Sequence, residues 1–131
     1  MVREVLTMGA ILIAGAAAAA DDPLAAHRWK ARVVVIAAPA ADDPRLVRQR
    51  TDLASVANGL RERDITVMEA VGDGAEARRL RARLGLEEPA FRVLLVGKDG
   101  TVKRADERPV SPDALFATID AMPMRRDEMQ R

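Results

Sequence analysis

The chain of 131 residues contains no cysteine. Disulfides, cysteine–zinc sites, iron–sulfur clusters and thiol catalysis are therefore excluded, because each needs a sulfur the chain does not have. Aromatic residues are nearly as scarce, at 2%: Trp29, Phe91 and Phe116, with no tyrosine. So few rings exclude base-stacking platforms for single-stranded nucleic acid and aromatic cages for quaternary ammonium groups. Nor does one sign of charge prevail. Twenty-one basic side chains face 20 acidic ones, a net charge of +1, so the basic footprint of a nucleic-acid binder is missing. The single histidine, His27, precedes the first strand and has no nucleophile near it in the pattern, which argues for a solvated side chain rather than a general base. What is present, 49% hydrophobic and 31% charged residues, suits one ordinary globular domain.

One apolar run stands apart. Arg3 supplies a short positive start, partly offset by Glu4, and Val5 to Ala18 is then interrupted only by Thr7 and two glycines. Small residues Ala16 to Ala20 follow, and Asp21-Asp22-Pro23 closes the run. This is the layout of a secretory signal peptide. A membrane-spanning helix needs about 20 apolar residues, and this run is shorter and fades into alanines. The expectation is a cleaved signal over residues 1–20, with the cut after Ala20 or, as second choice, Ala18. The product would be exported, in the periplasm of a bacterium.

Residues 21–122 alternate short apolar runs with helical patterns. Val33-Val34-Val35-Ile36 within Arg32 to Ala38 is a continuous β-branched run, the mark of a strand buried on both faces. Asp43-Pro44 then opens a helix as N-cap and first-turn proline, with Leu46, Leu53, Val56 and Leu60 on one side and an end near Asn58-Gly59. Ile65 to Val71 is the second strand. A second helix buries Ala77, Leu80 and Leu84 and stops at Gly85, with Arg78, Arg79, Arg81 and Arg83 mostly facing water. Phe91 to Val96 and Thr101 to Ala105 flank Gly97-Lys98-Asp99-Gly100, where Asp-Gly predicts a hairpin with positive φ at both of those turn residues. The last helix starts at Ser111-Pro112-Asp113, carries Leu115, Phe116, Ile119 and Met122 on its apolar face, and is stopped by Pro123. Residues 123–131 read as a charged, frayed tail. The order strand, helix, strand, helix, hairpin, helix, with right-handed crossovers, is that of a thioredoxin-like βαβαββα fold. It predicts an α/β domain with a four-stranded mixed sheet flanked by three helices.

The same residues resemble a particular family. Arg28-Trp29-Lys30, Ala38-Pro39 with Asp42-Asp43-Pro44-Arg45, the Gly97-Lys98-Asp99-Gly100 hairpin, and the run from Ile119 to Asp127 are similar to the small exported bacterial proteins grouped as domain of unknown function 4174. The resemblance implies a thioredoxin-like fold with relatives in some secreted animal proteins, and no established activity. Redox-active thioredoxin-like proteins carry Cys-x-x-Cys in the loop after the first strand, at a helix N-terminus that lowers the thiol pKa. Here that loop reads Ala38-Pro39-Ala40-Ala41-Asp42-Asp43-Pro44. Their cis-proline would fall near Arg92, and Pro89 comes too early to replace it. The resemblance therefore implies no thiol–disulfide or peroxidatic chemistry.

A binding or structural module, working by non-covalent recognition, is the function these readings leave. The residues expected to carry it are Arg28, Trp29 and Lys30 before the first strand, Asp42, Asp43 and Arg45 in the loop after it, and Arg125 and Arg126 in the basic tail. Trp and Arg are typical interface anchors, although Trp29 also suits a cover over the sheet edge with its indole partly buried. Asp43 suits a helix cap, Asp42 a complement to the helix dipole, and Arg45 an ion pair with one of them. No catalytic residue, metal or cofactor is assigned. The partner expected is a protein or another envelope component, not nucleic acid, with membrane contact only through the signal peptide or the basic tail. Two rival readings are an enzyme working through the Asp42 and Asp43 carboxylates, and a copper(I) protein using Met122, Met124 and Met129 as soft thioether ligands.

Overall fold

The computed structural model describes residues 22–131. The expected signal peptide and both cleavage positions lie outside the described residues. A single 3-10 turn, Ala25–His27, leads into β1, Arg32–Ala38, whose seven residues are all buried. The chain continues through α1 (Pro44–Ala54), α2 (Ala57–Glu62), β2 (Ile65–Val71) and α3 (Ala75–Arg83). It ends with β3 (Arg92–Val96), β4 (Val102–Asp106), α4 (Pro112–Asp120) and α5 (Pro123–Gln130). One mixed sheet orders the strands β2-β1-β3-β4. β1 runs parallel to β2, with Val34 opposite Val67, and antiparallel to β3, with Val34 opposite Leu95; β4 pairs antiparallel on the far edge.

This is the thioredoxin-like α/β architecture expected from the element order. The central place of β1 explains its composition, because alternate side chains enter two separate cores. Val34, Ile36 and Ala38 pack with Leu46 and Leu53 of α1 and with Leu115 and Ile119 of α4. Val33, Val35 and Ala37 pack with Ala77 and Leu80 of α3 and with Leu24. The first two strands match their sequence boundaries, and the hairpin strands each begin one residue later than expected.

The structure departs from the sequence pattern at four places. The helix after β1 is two helices, broken at Val56 (φ −122, ψ 34). Thr51 and Ser55 hydroxyls donate back to the Val47 and Asp52 carbonyls there, and such bonding competes with a continuous helical ladder. Gly59 does not end a helix: a Cβ at that position would lie 2.7 Å from the Phe116 ring, so the glycine permits close packing of α2 on α4. In the hairpin only Gly100 takes positive φ (84), not Asp99 as well; Gly97 and Gly100 close the turn through backbone bonds, the longer loop with one left-handed glycine. Finally, Pro123 starts a helix as well as ending one, since proline's missing N–H costs nothing at a first helical position. Residues 123–131 are thus mostly α5 and not a frayed tail, and the described residues form five α-helices in place of the expected three.

Candidate functional site

The two ends of β1 carry different kinds of structure. At its C-terminal end, the loop Pro39 to Arg45 occupies the place where thioredoxin-like enzymes keep their cysteines. Asp43 caps α1 by accepting from the Arg45 backbone N–H at 2.9 Å, and its carboxylate also accepts from Arg45 Nε at 3.0 Å and Nη2 at 2.7 Å. Those Arg45 hydrogen bonds hold the Asp43 carboxyl below its ordinary value. The Arg45 guanidinium in turn lies 5.1 Å from the Phe91 ring centroid. Asp42 is exposed and takes no part in this cluster. The loop is closed by a cap, an ion pair and a ring, with Asp42 outside that cluster. Asp43→Ala is expected to lower the urea midpoint by about 0.3–0.7 M, and Asp43→Asn, which still caps, to recover most of it.

At the N-terminal end of β1, about 20 Å away at roughly 3.3 Å per strand residue, the other expected recognition elements converge. Trp29 is 60% exposed, which corrects the expectation of a partly buried cover. Its backbone is left-handed, φ 67, and its N–H donates to the Lys98 carbonyl at 2.6 Å. The Arg28 guanidinium lies 5.6 Å from its ring centroid. Arg28 and Lys30 are exposed on either side, and His27 is half-buried beside them. Lys98 also reaches the second left-handed side chain, Asp64 (φ 52), through Nζ at 2.8 Å from Oδ2. Non-glycine residues in this region cost free energy and are seldom found without a compensating role. Here both are tied to one lysine.

The same end holds a buried charge cluster that the sequence did not reveal. Arg32, 1% exposed, donates from Nη1 and Nη2 to the two Glu128 carboxylate oxygens, 3.1 Å each, and from Nη1 to the Arg63 carbonyl at 2.9 Å. Lys98 Nζ meets Glu128 Oε2 at 2.9 Å. Burial pushes the Glu128 carboxyl up, but the hydrogen bonds from Arg32 and Lys98 outweigh it and leave the group below its ordinary value. Arg125 is not the solvent-facing tail residue expected. It is 4% exposed and donates to Asp120 at 3.0 Å and to the Glu62 carboxylate at 3.1 Å, which docks α5 onto the end of α2. Asp120 accepts two more bonds from Arg63, and these bonds, ahead of those from Arg125, hold it below its ordinary value. Arg126 is exposed on the outer side of α5.

Beside this cluster, an open groove of about 490 Å³ runs between the hairpin turn and the α4–α5 junction, lined by Lys98, Lys103 and Asp99 and by Met122-Pro123-Met124. Lys103 and Thr101 hold Asp99 down to about 2. Met122 and Met124 line the groove and Met129 is exposed further along α5. Among the described residues no group of three or more His, Cys, Asp or Glu is placed to hold a metal ion, and no helix is long and apolar enough to cross a membrane. The structure therefore joins the Arg28-Trp29-Lys30 segment and α5 into one surface, with Lys98 between them, and leaves Asp42, Asp43 and Arg45 at the opposite end. Sequence reasoning missed Arg32, Lys98, Asp120 and Glu128. A lone arginine opening an otherwise apolar buried strand was the only signal for them.

Comparison with known proteins agrees with this architecture. The family described as a domain of unknown function (DUF4174) matches residues 23–128. A curated relative, coiled-coil domain-containing protein 80 of Danio rerio, is 30% identical over 81% of this chain, and the match spans only 15% of that protein's length. Among solved structures, reduced 2-Cys peroxiredoxin of Plasmodium vivax superposes with a TM-score of 0.61 at 12% identity, covering 79% of this chain and 84% of that one. At that identity the likeness concerns the fold alone.

Proposed function

The chain belongs to the DUF4174 family, and from that premise we propose that it acts by non-covalent recognition, with the N-terminal end of β1 as its binding face. One observation carries this reading: Trp29 is held exposed in a left-handed backbone. A left-handed conformation costs a side-chain-bearing residue roughly 1–2 kcal/mol, and a side chain this exposed recovers little of it by burial. A tryptophan stacked with Arg28 and flanked by Lys30 has the composition of an interface anchor. The groove beside Lys98 extends the same face with apolar surface from Met122 and Met124. The apolar run of residues 5–18 supports export, so the partner we propose is a protein of the bacterial envelope, met after removal of the signal peptide.

The test uses the fact that Trp29 is the only tryptophan, so emission of the free chain reports this site alone, and the partner's own emission is subtracted in the complex. Free protein is expected to emit as a water-exposed indole, and a partner fraction obtained by crosslinking in intact cells is expected to shift that emission to the blue. Trp29→Gly, which relieves the backbone, is expected to match or exceed the wild type in urea stability by up to about 1–2 kcal/mol and to lose the crosslinked partner. A glycine variant less stable than wild type, with its crosslinks intact, would show that the indole serves packing instead.

A further inference from the structure

We propose a second, independent site: the groove between α3, the Gly72–Asp73 turn and the segment after α3 binds a small organic carboxylate, with Arg81 receiving its anionic head. The groove measures about 490 Å³ and is lined by Asp73, Arg78, Arg81, Leu86, Glu87 and Pro89, among others. Arg81 was expected to face water with its neighbours. It is instead 4% exposed, because α3 packs on β2 and turns this side chain inward beneath the β2–α3 turn.

What sets Arg81 apart is how its charge is met. Three arginines are buried among the described residues: Arg32, Arg81 and Arg125. Arg32 has a two-pronged carboxylate in Glu128, and Arg125 has Asp120 and Glu62. Arg81 donates only to backbone carbonyls, from Nη2 to Gly72 at 2.7 Å and from Nη1 to Ala70 at 3.5 Å. Its one carboxylate neighbour among the described residues, Asp73, stands at 4.0 Å on a side chain that is 87% exposed. A buried charge is normally paired with an opposite charge or a ligand, and a guanidinium has five N–H donors of which carbonyl partners occupy only part. The planar fork matches a carboxylate. Arg78, on the same groove, adds a second positive group, while Leu86 and Pro89 offer an apolar wall for the body of the molecule. Asp73 then acts as a loose substitute that an incoming carboxylate displaces.

Titration of isotope-labelled full chain with acetate, hexanoate and inorganic phosphate, read from the Gly72 and Asp73 amides, tests this. Saturable shifts are expected with both carboxylates, tighter for hexanoate than for acetate. Arg81→Gln is expected to abolish them. Should that variant fold poorly, Arg78→Gln is expected to weaken hexanoate binding about two- to fivefold and Asp73→Asn to strengthen it by a similar factor, both on an intact fold. Absence of saturation with any carboxylate overturns the site. So does binding unchanged by the Arg78 and Asp73 variants, and binding of phosphate without carboxylate overturns the ligand class.

Discussion

Glu128→Ala is expected to remove about 3–5 kcal/mol of stability, because it strips the carboxylate from an arginine that has almost no access to water. Arg32 is 1% exposed, and its two terminal nitrogens both point at Glu128. The Arg63 carbonyl would remain as an acceptor, but a carbonyl does not offset a full charge. In urea, where chains of this size lose about 1–3 kcal/mol per molar, the midpoint should fall by more than 1 M. The pair itself need not be worth that much. Replacing both partners by apolar residues, Arg32→Met with Glu128→Leu, is expected to restore most of the loss, since the penalty belongs to the unpaired charge and not to the absence of a bridge. Glu128→Gln, which keeps the shape and one acceptor, should fall between.

Protons do reversibly what the substitution does permanently. Glu128 and Asp120 are both held below their ordinary values in the folded chain. A carboxyl whose folded-state pKa is depressed contributes stability above its unfolded value, near pH 4, and that contribution is lost as pH falls through the folded value. The urea midpoint should therefore be level from neutral pH to about 5 and decline below it. Glu128→Gln should flatten part of that decline.

The parts of this molecule that were legible in its sequence are those fixed by neighbours along the chain. Val33 to Ile36 announces a strand buried on both faces because the β-branched run needs no distant information to be read. Asp43-Pro44 and Ser111-Pro112 announce helix starts because capping is a matter of two or three residues, and both caps form as expected. Arg32 and Glu128 meet across 96 positions, and nothing local to either marks the other. Arg81 looked like its exposed neighbours because a run of arginines hides which one α3 turns inward. Pro123 suits a helix stop and a first helical turn equally well, so its neighbours along the chain do not choose between them. The recognition face was half legible. Its segments, Arg28 to Lys30 and the residues after Pro123, stood out in the chain, but their meeting at Lys98 depends on the hairpin folding back beside β1.

Phe91→Ala is expected to cost about 3–5 kcal/mol as well, and to do so at the other end of the sheet without touching recognition. Phe91 is 1% exposed and enters the core that Val34, Ile36 and Ala38 share with α1 and α4. Its ring also supports the Arg45 guanidinium that holds Asp43. Loss of the ring leaves a cavity among residues that already fill that side of β1, so little of the volume can be recovered by collapse. Calorimetry or urea titration would read the loss. Phe91→Leu, which keeps most of the volume, is expected to stay folded with Trp29 emission and crosslinks unaltered. That contrast separates the two ends: the place of the missing cysteines is occupied by packing, while the opposite end presents an indole and two cations to solvent. Recognition lost in the folded Phe91→Leu protein would move the binding face to the loop after β1, and the reading built on Trp29 would fall with it.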